Sequence, residues 1–278
     1  MATIVGGVGV PHTPMFPEMV AREGPQSETG QLFAAVADQL DALEPDVLVV
    51  FDSDHLNTFF LDNLPTFCVG VSTRTAGPID RTPGLVRQEV PVDEAFGRHL
   101  LGSGLSRGFD LSMTQHFEVD HSVLVPLHFL TPELDVPIVP VFVNGMVAPL
   151  PGARRCLALG EMVREAIERY PADVRVAVVA SGGFSLDIGG HRSPPGEIAG
   201  VADRGWAERM FTLLSEGRVN DLLNEATAEQ IARAGNVAGE LLNWVSMLGA
   251  VGAVEGKRPS FLEPQFAMGH AYGAWRLD

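Results

Sequence analysis

Eight histidines stand at positions 12, 55, 99, 116, 121, 128, 191 and 270. His99 and His128 lie inside apolar stretches, where packing accounts for them. His12, His55 and His121 differ, because each follows or sits beside the end of an apolar run or a turn. Two imidazoles delivered to one edge of a sheet suit a divalent metal, and a third ligand would complete the set. Glu240 is the candidate. It precedes Trp244 by one helical turn and borders the apolar stripe of Leu241, Trp244, Val245 and Leu248. A carboxylate bordering a buried face needs a partner, since a buried unpaired charge is costly; a surface glutamate at the stripe's edge is the plain alternative. Two histidines and one carboxylate make the facial triad of non-haem iron(II) oxygenases, which keeps positions open for substrate and dioxygen. Clusters of His and Asp at strand ends also suit zinc, which keeps a metal-dependent hydrolase as a rival class.

Strands must place these groups. Residues 47–51, Val-Leu-Val-Val-Phe, form an apolar run without helical period and read as a fully buried strand. The run stops at Asp52, Ser53, Asp54 and His55, for which an ordinary solvated turn is the alternative. Residues 3–10, TIVGGVGV, predict a first strand, ended by Pro11-His12-Thr13-Pro14. Between them, Leu32, Phe33, Val36, Leu40 and Leu43 predict an amphipathic helix over 27–43, capped by Ser27 or Thr29. A strand–helix–strand unit makes the two strands parallel and brings His12 and His55 to one edge. Further strands are expected at 66–72, 136–143 and 174–180, and an irregular loop over 73–92. From 203 onward the chain reads as mostly helical, with the capping-box pattern Thr227-Ala-Glu-Gln230, and 263–278 reads as a loop or short strand. The expectation is an α/β fold in one domain, 1–278: a mostly parallel or mixed central sheet flanked by helices, with a helical C-terminal part.

Composition narrows the partners. In 278 residues, 46% hydrophobic content supports one large core. A net charge of -16 without a Lys/Arg cluster argues against nucleic acid or an anionic membrane as partner. Cys68 and Cys156 sit in apolar settings and read as buried thiols. The first residues lack the basic segment of a secretory signal, and no stretch approaches the ~20 apolar residues of a membrane helix, so a cytoplasmic protein is expected.

The same residues lie in stretches that resemble the class III extradiol ring-cleavage dioxygenases, the family of the protocatechuate 4,5-dioxygenase β-subunit, gallate dioxygenase and the dihydroxyphenylpropionate dioxygenases. The likeness runs through GGVGVPHTP at 6–14, FDSDHLNTFF at 51–60, FCVGV at 67–71, EVDHSVLVPL at 118–127, VPIVPVFVNGMVAPLPG at 136–152, SGGFS at 181–185 and AGNVAGELLNW at 234–244. It implies Fe(II) held by His12, His55 and Glu240, with a small aromatic diol (or aminophenol) and O2 as substrates. It implies that His121 contacts substrate and dioxygen and acts as an acid, with Asp120 and Asn57 behind the ligands. By analogy a homo-oligomer is expected, and some members use a small separate subunit.

One position departs from the pattern. The family carries a histidine, the base for the catechol hydroxyl, where this chain has Leu186 in Gly182-Gly-Phe-Ser-Leu186. Three routes follow. Asp187 or His191, from the same loop, takes over the proton. The substrate hydroxyl is acidic enough, or made so by the metal, to need no base. Or ring cleavage is lost or redirected, leaving a catalytically altered or non-catalytic metal-binding protein on the same scaffold.

Overall fold

In the computed structural model, which describes residues 1–193, 200–253 and 255–277, the predicted strands and helices alternate along the chain. The elements are β1 (Thr3–Val10), α1 (Phe16–Glu23), α2 (Glu28–Asp41), β2 (Val47–Asp52), β3 (Phe67–Gly70), β4 (Arg74–Gly77), β5 (Gln88–Pro91), α3 (Glu94–Ser106), β6 (Ser112–Thr114) and α4 (His121–Leu130). They continue with β7 (Ile138–Val143), α5 (Ala153–Arg169), β8 (Arg175–Ser181), α6 (Arg204–Ser215), α7 (Val219–Glu225), α8 (Ala228–Ala234), α9 (Leu241–Ala250), β9 (Phe261–Gln265) and β10 (His270–Arg276).

Eight strands form one sheet in the order β6-β3-β7-β2-β8-β1-β10-β9. Its centre, β7-β2-β8-β1, is parallel, so these strands end on the same edge. β3 opposes β7, and β10 and β9 add antiparallel strands beside β1, which makes the sheet mixed. All of β2 is buried. Its alternate residues feed two cores: Val47, Val49 and Phe51 pack with α3 and α5–α9, while Leu48 and Val50 pack with α1, α2 and α4. Cover on both faces explains why the strand reads as a continuous apolar run. Ser27 accepts from the Gly30 N–H as the cap of α2, and Thr227 caps α8. Cys68 and Cys156 are buried free thiols, and burial pushes both up to about 12.

Helices α5 and α9 meet backbone to backbone. A β-carbon at Gly160 would collide with the Ser246 carbonyl, and one at Gly249 with the Leu157 carbonyl. That crossing holds α9, and the residue just before it, against the sheet.

One segment differs from expectation, and for another the structure chooses between the alternatives. The stretch 73–92 is an excursion with two paired arms, β4 and β5, rather than an irregular loop. Each arm is only four residues long, too short for an alternation to register. At the other end, 263–278 contributes to two strands of the main sheet. Pro264, Gly269 and Gly273 masked them; Tyr272, Ala274 and Trp275 bury as a strand's apolar residues would. Among the described residues, no helix is long and apolar enough to cross a membrane.

Candidate metal centre

The parallel edge collects the chemistry. His12 follows β1, Ser181 ends β8, and His55 lies three residues past β2. Asp54 folds the turn that carries His55: its carboxylate accepts the N–H groups of Asn57, Thr58 and Phe59 at 3.2, 2.9 and 3.0 Å. Glu240 closes a 3₁₀ turn at the start of α9. One turn on, the buried Asn243 amide donates to the Ser181 carbonyl (2.7 Å) and to Ser53 Oγ (3.1 Å), tying α9 to the strand ends. A β-carbon at Gly182 or Gly239 would collide there, so the chain passes close behind Glu240.

His12, His55, His121 and Glu240 are brought together. Glu240 Oε1 lies 2.9 Å from His12 Nε2 and 3.3 Å from His55 Nε2. Its other oxygen accepts the Gly183 N–H at 2.8 Å. Ring centroids of His121 stand 4.2 Å from His55 and 5.3 Å from His12. One ring nitrogen from each of the three histidines lies within 4.8 Å of the others, close enough to share a metal ion.

The groups behind the rings decide which nitrogen carries the proton. The Ser181 hydroxyl donates to the Ser122 carbonyl, so toward His12 Nδ1, at 2.8 Å, it can only accept. His12 therefore holds its proton on Nδ1. His55 Nδ1 faces Asp120 Oδ2 at 3.3 Å, a carboxylate that also accepts the His55 backbone N–H and the Asn57 amide, both at 2.9 Å. Both Nε2 lone pairs are thereby aimed at a carboxylate oxygen. Three lone pairs on one point repel unless a cation lies among them. With a cation in place of the Nε2 protons, two imidazoles and a carboxylate, each fixed from behind, fit a divalent ion of the first transition row.

Electrostatics agree. Burial alone would raise Glu240, but His12 and then His55 outweigh it and hold the carboxyl well below its usual range. Asp120 is likewise held low against burial, chiefly by His55. Burial lowers His12, favouring the neutral ring. At His55 burial is outweighed by Asp120 and then Glu240, and its affinity for a proton rises. The place between these groups attracts positive charge.

Asp187 and His191 are not drawn into this cluster. The Asp187 carboxylate accepts the N–H groups of Arg192 (2.6 Å) and Asn236 (3.2 Å), and His191, 62% exposed, stands 3.7 Å from it. Among the described residues, the side-chain hydrogen bonds of Asp187 go to Arg192 and Asn236, and its backbone bridges to Val201. Arg74, Arg87 and Arg192 pair with Glu89, Glu118 and Asp203.

Three participants were missed from sequence. Ser181 ends a predicted strand without any special pattern. His270 lies in the C-terminal hairpin; it is buried, its Nε2 stands 3.0 Å from Thr13 Oγ1, and burial pushes it down to about 4. Asp80 sits in the 73–92 excursion, with Oδ2 2.5 Å from His121 Nδ1. Burial opposes its ionisation, yet His121 outweighs this and holds the carboxyl below its ordinary value. A surface cleft of about 480 Å³ opens beside these groups, lined by Asn57, Thr58, Ile79, His116, Phe117 and Glu118.

Comparison with known proteins places this geometry. A family model described as the catalytic LigB subunit of aromatic ring-opening dioxygenase matches residues 6–270. The enzymes named 2,3-dihydroxyphenylpropionate/2,3-dihydroxicinnamic acid 1,2-dioxygenase in Klebsiella pneumoniae and Escherichia coli are each 29% identical to this chain, over 281 and 288 residues. In both cases the alignment covers 87% of this chain and 88% of the relative. Among solved structures, the uncharacterized protein JW3007 from Escherichia coli K12 superposes with a TM-score of 0.56 at 13% identity, covering 98% of this chain and 99% of that one, a likeness of fold. Because the family model spans all four clustered side chains and nearly the whole sequence, the chain belongs to the LigB family of aromatic ring-opening dioxygenases.

Proposed function

We propose that this dioxygenase opens an aromatic ring carrying two vicinal hydroxyls, or a hydroxyl and an amino group, beside the diol, with O2 and an Fe(II) ion held by His12, His55 and Glu240. The observation that carries the reading is the convergence of two Nε2 lone pairs and Glu240 Oε1 within 2.9 and 3.3 Å, each histidine fixed by a proton on its far nitrogen. Bound there, the iron would supply adjacent open positions for substrate oxygens and dioxygen and would lower the pKa of a coordinated hydroxyl. The protein's part is to orient and to move protons. With its Nδ1 proton held by Asp80, His121 keeps Nε2 free to take up a proton released within the site and to pass it to oxygen as the ring opens. Asp120 keeps His55 in its ligating tautomer.

For the proton that a base at position 186 would take, Asp187 and His191 are the candidates from that loop, and substrate acidity is the third route. The filled acceptors of Asp187 and the exposure of His191 favour the third. The names of the relatives make a catechol with a three-carbon acid side chain the first substrate to try. We place the enzyme in the cytoplasm as a homo-oligomer without a nucleic-acid partner. Leu186 also favours a second reading, an altered or non-catalytic member of the family.

Metal analysis of anaerobically purified protein, with oxygen uptake on catechols, gallates, aminophenols and dihydroxypyridines, tests both. About one iron(II) per chain is expected, for a single triad. His12→Ala and Glu240→Ala should each abolish metal binding and turnover. Full activity in a metal-free double variant ends the iron reading, and bound metal without oxygen uptake on any substrate favours the second reading.

A further inference from the structure

We propose that Asp80 is the positioning residue for His121, fixing it with its proton on Nδ1 and presenting Nε2 alone to the metal centre. The role in turnover rests on the function proposed above; the geometry does not.

Asp80 grips His121 twice. Oδ2 faces the ring at Nδ1 (2.5 Å), and Oδ1 accepts the His121 backbone N–H (3.1 Å). Thr82 Oγ1 donates to Oδ1 at 3.3 Å, which fixes the carboxylate itself. An ionised carboxylate only accepts, so the ring must carry its proton on Nδ1. Backbone and ring are then held by one group, which sets both the tautomer and the rotation of the imidazole.

The excursion that carries Asp80 is fastened to the segment before His121 almost residue by residue. Thr75 Oγ1 donates to the Phe117 carbonyl at 2.8 Å, the Val119 N–H to the Ala76 carbonyl at 3.0 Å, and the Ile79 N–H to the Val119 carbonyl at 2.9 Å. Arg87 clasps Glu118 with two hydrogen bonds, at 2.5 and 2.8 Å. The strap ends on Asp80. Two neighbouring imidazoles are thus served by different carboxylates: Asp120 faces His55, and Asp80 faces His121. No hydrogen bond among the described residues joins Asp80 to His12, His55 or Glu240, so its effect on the centre runs through His121.

Asp80→Asn tests this. The His121 backbone N–H can only donate, so it claims the amide carbonyl, and the amide NH₂ is left facing Nδ1. The ring should then switch to the tautomer with its proton on Nε2. We expect kcat to fall about 100-fold or more, within the range that a positioned acid contributes. KM and iron content should stay within about threefold, and Asp80→Glu should recover part of kcat. Nitrogen-15 spectra of the full-length, histidine-labelled, zinc-loaded protein read the tautomer independently of turnover. An unchanged His121 tautomer in both Asp80→Asn and Asp80→Ala overturns the positioning. A switched tautomer with unchanged kcat overturns its role in the reaction. If the wild-type protein opens no ring, the function fails while the tautomer still decides the geometry. Loss of iron in parallel with kcat would mark Asp80 as a scaffold residue and also overturn the inference.

Discussion

Two aspartate–histidine pairs can be set side by side. Asp80 and His121 are 41 positions apart and meet at 2.5 Å, with the imidazole 9% exposed. Asp187 and His191 are four positions apart and stand 3.7 Å from each other, with the imidazole 62% exposed. From sequence the second pair was the more conspicuous, because it lies in the loop where the family's base is missing. In the fold its carboxylate is spent on backbone N–H groups that shape the turn, and its histidine faces solvent. The first pair has a strap to hold the acid and a helix start to hold the imidazole. Chemical usefulness tracks what fixes the donors and acceptors, and closeness in sequence counts for little.

The sharpest way to break the comparison is to remove the support beneath a neighbouring imidazole. Asp120→Ala takes the acceptor from His55 Nδ1, the His55 backbone, the Asn57 amide and Ser122 at once. Metal affinity, measured by competition with a chelator, is expected to fall about 10- to 100-fold, as for other carboxylates behind a ligating histidine. Affinity within twofold of wild type would show that the tether is ornamental.

Asp52 gives the next effect. It is fully buried at the end of β2, its Oδ2 3.1 Å from a Ser122 hydroxyl whose single proton goes to Asp120 at 2.5 Å. That contact is a hydrogen bond only if Asp52 keeps its own proton. Burial first, and the Asp120 charge second, raise its pKa well above the ordinary 3.8. The folded-state pKa therefore exceeds the unfolded one, and above pH 4 folding must take up a proton. Stability is lost as pH rises through that window. Asp52→Asn removes the proton requirement, so its melting temperature should match wild type near pH 4 and exceed it increasingly toward pH 8. A constant difference across that range would show that Asp52 is ionised in the fold.

The smallest effects belong to the 187 turn. Asp187→Asn is expected to lower stability by about 1–3 kcal/mol through a mismatched buried acceptor, read by thermal unfolding, with kcat within about threefold. His191→Ala should change kcat less than twofold at any pH. A selective slowing of either variant at low pH would restore the base role to this loop.

How much of this was legible follows from the same physics. β1 and β2 announced themselves because strands covered on both faces are apolar throughout and stop abruptly at polar residues, which pointed to His12 and His55. Glu240 showed as a carboxylate at the edge of an apolar helix stripe, and the family likeness supplied its role. Asp80 left no local trace. Its arms are too short for a period, and its partner is fixed by a strap whose bonds are long-range. The hairpin bearing His270 was hidden by proline and glycine, though its aromatic residues bury as deeply as those of the central strands.

The bare crossing of α5 and α9 ties the placement of Glu240 to the spacing of two helices outside the cluster. Glu240 stands immediately before α9, which touches α5 at Gly160 and Gly249 with no room for a methyl group. A single alanine there is expected to push α9 outward and shift Glu240 relative to His12 and His55 while leaving all three side chains in the sequence. On the metal reading proposed above, cation preference would be open to tuning through helix spacing, at positions remote from His12, His55 and Glu240.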